Sequence, residues 1–191
     1  MKKFKRRGAV ISTHFSSYEV ELLSSLVSQL VDMVSEGEPQ AYSRAEDSAD
    51  PFAAWAQDLA ADPSEPEVSE DPVLQRLFPN PYPHDADAAS DFRRFTERDL
   101  KTKKIAEAQA VLRRLSETGQ GSRDLRIPAD EVDQWLRTLT SVRLAVATRL
   151  GISDAETAEE LAQLPEDDPR AFLLSVYDWL GFAQETLISA L

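Results

Sequence analysis

Residues 168–191 have the sequence DPRAFLLSVYDWLGFAQETLISAL, and this stretch predicts the fold class of the whole chain. Asp168-Pro169 is a typical helix start, because proline is tolerated in the first turn of a helix. The helix that follows is apolar on nearly every side, which is typical of a helix in the middle of a bundle. We therefore predict a mainly α, single-domain helical bundle over residues 1–191, built around a buried C-terminal helix.

Amphipathic helices are predicted upstream of this stretch. Ser16 and Glu19 have the spacing of a capping box, and apolar residues then recur with helical periodicity up to Val34. A long helix is predicted over 87–118 and another over 128–150, each followed directly by a glycine. These helices supply the other members of the bundle.

A small β-hairpin is predicted at the N-terminus. Residues 4–7 and 9–15 flank Gly8, and the second arm is rich in β-branched residues. A lone hairpin is only marginally stable in water, so it needs helices or a further strand to pack on. Residues 125–127 are the candidate for a third short strand.

The segment 44–72 differs in composition from the rest of the chain. It contains nine acidic residues, one arginine and four prolines. This composition predicts a mobile acidic connector within the single domain. Residues 52–59 inside it have the pattern of a short amphipathic helix, for which docking on the core is favoured over docking on a partner.

The charge balance and the lack of cysteine exclude several function classes. The chain has 21 basic and 34 acidic residues, a net charge of −13, which disfavours general nucleic-acid binding. A basic cluster at Lys2, Lys3, Lys5, Arg6 and Arg7 could contact RNA, an anionic membrane or an acidic partner, although a frayed solubilising terminus is the favoured interpretation. The absence of cysteine excludes thiol chemistry. No predicted segment suits a membrane span, so a cytoplasmic location is expected.

Charged residues within the apolar helices form a candidate polar seam. Arg143 lies in the apolar stripe of its helix, and Asp178 and Glu185 share one face of the C-terminal helix. Because a buried charge needs a partner, we predict a structural ion pair between Arg143 and Asp178, with Arg94 and Lys103 as further members of the seam. A carboxylate site for acid/base catalysis or a metal is the alternative.

The sequence indicates no catalytic residues, no metal site and no cofactor. His84 lies beside Asp85 and Asp87, but the oxygen spacing and the glycine turn of a calcium loop are absent there. No serine has a histidine and acid partner in a recognisable pattern, and no Gly-x-Gly-x-x-Gly motif occurs. Enzyme activity is therefore not favoured.

The proline-rich turn at residues 76–82 is a candidate contact surface. Arg76, Phe78 and Tyr82 lie in a segment stiffened by Pro79 and Pro81. A stiff turn loses little entropy on binding, which suits contact with a partner. The same pattern is typical of a structural corner whose aromatic residues pack into the core, and that interpretation is slightly favoured.

Several motifs together resemble a family of uncharacterised actinobacterial cytoplasmic proteins. The most specific are Arg76-Leu77-Phe78-Pro79 and Tyr177-Asp178-Trp179-Leu180-Gly181, and the match spans nearly the whole chain. Further matches are Phe92-Arg93-Arg94-Phe95-Thr96-Glu97, Trp135-Leu136, Val142-Arg143-Leu144-Ala145, Thr148-Arg149-Leu150-Gly151 and Gln184-Glu185. Thr140, Ser141 and Ala147 depart from the Asn, Asp and Gly of the family, so an essential site at these three positions is not expected.

The resemblance implies a domain of unknown function, usually encoded beside the adaptor of the Clp protease and proposed to regulate stress responses through protein contacts. A chain without cysteine cannot do so by thiol oxidation, which leaves binding. The expected partner is an unidentified protein, with the transcription and proteolysis machineries as candidates and a homodimer also open. The alternative is an enzyme or small-ligand binder that uses the Arg/Asp/Glu seam. A deep pocket at the seam would favour the alternative, and an exposed apolar patch elsewhere would favour the regulator.

Overall fold

The computed structural model describes residues 1–35, 69–165 and 167–191. Most of the predicted connector, including the predicted helix at 52–59, lies outside the described residues. The helices are α1 (Ser17–Ser35), α2 (Pro72–Leu77), α3 (Ala86–Asp91), α4 (Arg98–Glu117), α5 (Val132–Leu150), α6 (Ala155–Ala162) and α7 (Ala171–Ile188). The predicted mainly helical fold class is confirmed. Among the described helices, none is both long and apolar enough to cross a membrane.

The N-terminal residues form a three-stranded antiparallel sheet. Its strands are β1 (Lys5–Arg7), β2 (Val10–Thr13) and β3 (Leu125–Pro128), in the order β1-β2-β3. Gly8 has a φ of +65° in the turn between β1 and β2, a conformation that glycine adopts without strain. Alternate side chains of β2 and β3 are buried and pack on the helices. The predicted hairpin and third strand are both confirmed.

Helix α5 is the central element of the bundle. It packs against α1, α2, α4 and α7. Nine of its 19 residues are buried, and Trp135 has no exposed surface. Because this helix is covered from several sides, it occupies the place that the sequence predicted for the C-terminal helix.

The C-terminal helix α7 lies at the side of the bundle and not at its centre. Five of its 18 residues are buried, and they form one stripe that packs mainly on α5. Phe172 and Ile188 are 58% and 55% exposed. The predicted central position was therefore wrong in this detail, because α7 carries more apolar side chains than its neighbours cover.

The long helix predicted over 87–118 is helical throughout but not uniform. Residues Phe92–Glu97 between α3 and α4 form a π-helical segment. Such wide turns shift the side chains that follow around the helix axis relative to those that precede. The side chains of α4 therefore do not continue the α-helical periodicity of α3.

Glu19 ties the start of α1 to two other parts of the molecule. Its Oε2 accepts a hydrogen bond from the Ser16 backbone N–H at 2.8 Å, and the Glu19 N–H donates to the Ser16 hydroxyl at 3.3 Å, which confirms the predicted capping box. Its Oε1 also accepts from the Met1 ammonium and, at 3.3 Å, from the indole N–H of Trp179 in α7. One carboxylate thus joins α1, the N-terminal segment and α7.

The pKa of Glu19 reflects this arrangement. Burial alone would raise the pKa, but hydrogen bonds from the Met1 ammonium and from Ser16 outweigh burial and hold the pKa below its usual value. Because the folded-state pKa lies below the unfolded value of about 4.3, the ionised carboxylate contributes stability above that pH. This contribution is lost as the pH falls through the folded-state pKa.

Replacing the carboxylate tests this connection. We expect Glu19→Gln to lower the free energy of unfolding at pH 7 by about 1.5–3 kcal/mol, the range for hydrogen bonds to charged groups. The difference from the original protein should shrink as the pH falls below 4. Urea denaturation at several pH values measures both effects. Glu21→Gln, an exposed position in the same helix, is the matched control and should have little effect; an equal loss in both variants would contradict this role.

Candidate functional site

The residues of the predicted polar seam are not all brought together. Arg143, Asp178 and Glu185 line one groove between α5 and α7. Arg94 is exposed, with its guanidinium carbon 5.3 Å from the centre of the Phe95 ring. Lys103 is exposed on α4. The groove between α5 and α7 is therefore the candidate site, and two predicted members of the seam lie outside it.

This α5–α7 groove is open and has mixed chemistry. Its volume is about 830 Å³. Apolar side chains of α7, including the partly exposed Phe182 and Ile188, lie beside charged groups from both helices. Arg76 lines the same groove from α2, and its guanidinium donates to the backbone oxygen of Ile152 at 2.7 Å.

Arg143 contacts two side chains of α7 within the groove. Its guanidinium carbon lies 4.5 Å from the centre of the Tyr177 ring, a cation–π contact. A terminal nitrogen donates a long hydrogen bond of 3.5 Å to the Gln184 side-chain oxygen, whereas the buried Nε has no acceptor among the described residues. Gly181 leaves room for this arrangement, since a β-carbon there would lie 3.2 Å from the guanidinium.

The predicted ion pair between Arg143 and Asp178 is absent from the described part of the chain. Asp178 is exposed, and no salt bridge within residues 1–35, 69–165 and 167–191 includes it. The reason is helical geometry. Tyr177 faces α5 and its ring contacts the Arg143 guanidinium. Because each residue turns about 100° around the helix axis, the next side chain, Asp178, points away from that contact. Arg143 is accommodated by an aromatic ring and not by a carboxylate.

The three candidate contact residues of the turn at 76–82 lie in different environments. Phe78 is only 8% exposed and belongs to the core, so its side chain is not available to a partner. Tyr82 is 47% exposed and makes an edge-to-face contact with Phe92, with ring centres 6.3 Å apart. Arg76 belongs to the groove described above. The structural-corner interpretation therefore fits Phe78, while Tyr82 stays partly accessible.

Lys104, and not the predicted Lys103, points inward from α4. The Lys104 amine donates to the Ser141 hydroxyl of α5 at 2.8 Å and lies 5.8 Å from the centre of the Phe78 ring. Ser141 in turn donates to the backbone oxygen of Arg137 at 2.9 Å. A signal was present, because Lys104 continues the spacing of the buried residues Ala108, Val111 and Leu115 towards the start of α4.

The described residues offer no obvious metal site. Within residues 1–35, 69–165 and 167–191, no group of three or more His, Asp or Glu side chains is arranged to hold a metal ion. His14 faces Asp124 across the sheet, with its Nδ1 3.1 Å from the carboxylate.

The exposed position of Asp178 leads to a stability prediction. Asp178→Ala should change the free energy of unfolding by no more than about 0.5 kcal/mol, as for an ordinary surface substitution. Arg143→Ala should cost about 0.5–2 kcal/mol through loss of the contact with Tyr177. Chemical denaturation of both variants measures the contrast. A loss of several kcal/mol in Asp178→Ala would instead indicate a buried ion pair.

Burial of Lys104 makes its protonated form less favourable in the folded protein. Burial lowers the pKa of the amine, and the charge of Glu107 opposes this only partly. Between the folded-state pKa and the ordinary value, the unfolded chain binds more protons, so the stability of the protein should rise with pH over that interval.

The Lys104→Met variant tests how the buried amine affects stability, because methionine keeps an unbranched apolar side chain but has no charge. We expect the variant to be at least as stable as the original at pH 7 and to lack the alkaline rise in stability. Denaturation between pH 7 and pH 10 provides the measurement, with Lys103→Met as the exposed control. A loss above about 1 kcal/mol at pH 7 would show that the charged amine stabilises the fold.

Comparisons with known proteins assign the chain to a family. A protein of Mycobacterium leprae (strain TN) named "Putative oxidative stress regulator AosR" is 28% identical to it over 208 residues, which cover 100% of this chain and 88% of that protein. No solved structure matches the chain. The family model described as "Domain of unknown function (DUF2017)" matches residues 1–191. Because this match extends over the entire chain, the protein belongs to the DUF2017 family.

Proposed function

We propose that this protein is a non-enzymatic regulator that binds a protein partner in the α5–α7 groove. The observation that carries the proposal is the exposed apolar surface there, where Phe182 is 38% exposed and Ile188 is 55% exposed. Exposed apolar surface next to a concave groove is typical of interaction sites. The name of the Mycobacterium leprae relative supports a regulatory role and suggests oxidative stress as the process.

The stack of Arg143 on Tyr177 suits such a contact. Tyrosine and arginine are enriched among the residues that dominate binding energy at protein interfaces. Here the arginine is already held against the ring, 4.5 Å from its centre. A partner would therefore not have to order these two side chains, which reduces the entropy cost of association.

Two exposed carboxylates of the groove indicate what kind of partner fits, since its arginines, Arg76 and Arg143, already contact the Ile152 backbone oxygen and the Tyr177 ring. Asp178 and Glu185 are exposed and lie seven residues apart on α7, or about 10.5 Å along the helix axis. They flank the position of Phe182. An amphipathic helix with apolar anchors and lysine or arginine beside them would complement both features. We therefore infer that the partner presents a basic amphipathic helix.

Regulation by this protein would depend on binding and not on its own redox chemistry. The 191 residues contain no cysteine, so this chain cannot sense oxidation through a thiol. A stress-related signal carried by thiol oxidation would have to reach the protein through its partner. Protein–protein contact is therefore the form of regulation that fits this sequence.

A small-ligand binder is the second candidate function. The guanidinium of Arg143 favours it, since a terminal nitrogen makes only a long hydrogen bond of 3.5 Å and the side chain lines a groove of about 830 Å³. An anionic small molecule could accept a hydrogen bond there, although Asp178 and Glu185 in the same groove would repel it. This candidate predicts stabilisation by small carboxylates that Arg143→Ala abolishes.

A designed peptide tests the proposed function directly. The probe is a labelled amphipathic helix with leucine anchors and lysine flanks, and binding is followed by fluorescence anisotropy. We expect Phe182→Asp and Ile188→Asp to weaken binding at least tenfold. Phe172→Asp is the matched control, since Phe172 is exposed on the same helix but does not line the groove.

Charge reversal provides a second arm of the same experiment. Asp178→Lys with Glu185→Lys should abolish binding of the lysine-flanked probe and permit binding of a glutamate-flanked probe. Glu159→Lys with Glu160→Lys, two exposed positions on α6, gives the same net charge and should leave binding unchanged. If neither probe binds, or if the control variants lose as much affinity, the groove is not the partner site.

A further inference from the structure

Three of the basic N-terminal residues, Lys5, Arg6 and Arg7, form strand β1 of the sheet. The chain from Phe4 to Arg7 packs beside β2, with Phe4 only 5% exposed in the core. The Lys2 N–H also donates to the His14 backbone oxygen at 3.2 Å. The frayed terminus favoured from the sequence is therefore not what the structure shows, because the backbone of residues 5–7 is paired in the sheet.

Strand β1 is an edge strand with one row of positive charge. Within residues 1–35, 69–165 and 167–191, β1 pairs only with β2, so no described strand pairs with its outer backbone groups. Successive side chains of an extended chain point to opposite faces. Lys5 and Arg7 thus lie on the face opposite the buried Phe4. Lys3 precedes the strand, and all three side chains are exposed. Within the described ranges, none of the three is in a salt bridge.

Arg6 is held differently from this row. Its guanidinium donates to the backbone oxygen of Gly8 at 3.2 Å and to that of Leu191. The basic side chain of β1 that does not belong to the row is therefore engaged within the molecule. Lys3, Lys5 and Arg7 are left as the groups available to a partner.

We infer that β1 binds an extended segment of a partner protein with acidic residues at alternate positions, by addition of a strand to the sheet. An unpaired edge offers backbone N–H and C=O groups that only another peptide backbone can match in register. Acidic side chains at every second residue would lie opposite Lys5 and Arg7 as cross-strand pairs, with Lys3 just before the strand as a further positive charge. This surface is separate from the α5–α7 groove, and the inference does not depend on the groove.

Charges on edge strands also serve to prevent aggregation, and the charge pattern separates the two roles. Pairing of β1 with β1 of a second copy would place like charges opposite each other, which is destabilising. The same row attracts an acidic strand. A net charge of −13 also disfavours nucleic acid and anionic membranes as the ligand. Both have extended negative surfaces, which would be repelled by the acidic remainder of the protein. A short acidic segment avoids most of this repulsion.

Hydrogen exchange on the full chain tests the inference. The probe is a peptide of alternating glutamate and valine, compared with a glutamine–valine peptide and with a fully N-methylated glutamate–valine peptide of the same charge. We expect only the first probe to slow exchange of the β1 amides, at least tenfold at saturation. Equal binding of the N-methylated probe would overturn strand addition, because that probe cannot form the ladder.

Charge variants complete the test. Lys5→Glu with Arg7→Glu should weaken binding of the acidic probe at least tenfold, whereas Lys103→Glu with Arg113→Glu, exposed on α4, should not. Circular dichroism checks that each variant is folded. Absence of binding, equal loss in the control variant, or stronger binding of a thymidine oligonucleotide or of anionic vesicles at β1 would each overturn the inference.

Discussion

The coverage of helix α5 is the constraint on which the rest of the structure depends. Trp135, Leu139 and Val142 are almost completely buried, so apolar surface is needed on several sides of one helix. Helices α1, α2, α4 and α7 supply it. Helices α2 and α4 also make a polar contact with α5. Asp71 at the start of α2 accepts from Arg149 of α5 at 2.7 Å, and Lys104 of α4 donates to Ser141 of α5.

Local features of the fold could be predicted from the sequence. The capping box at Ser16 and Glu19, the turn at Gly8 and the helix end at Gly151 each depend on residues within one turn of each other. Such interactions need no knowledge of the remainder of the chain. The third strand was also predictable, because a two-stranded hairpin leaves too much surface unpaired to be stable alone.

The arrangement of the helices and the partners of the charged residues were harder to predict. The apolar residues of α7 suggested a central helix, but periodicity does not reveal how many neighbours cover a helix. The choice of Lys103 over Lys104 was an error of one residue, about 100° around the helix. The π-helical segment before α4 shifts the helical phase within the predicted 87–118 helix. Regular α-helical periodicity over the whole of 87–118 therefore could not predict which side chains of α4 face the core. For Arg143, the predicted partner was an opposite charge, whereas the structure provides the ring of Tyr177.

The distribution of lysine has a practical consequence for labelling chemistry. The chain has six lysines, three at positions 2, 3 and 5 and three at positions 101, 103 and 104. None of them lines the groove between α5 and α7. Amine-directed dyes, cross-linkers and immobilisation chemistries would therefore attach beside the sheet or on α4 and leave that groove unmodified. Protein that is tethered to a solid support through its lysines would have no attachment point in the groove.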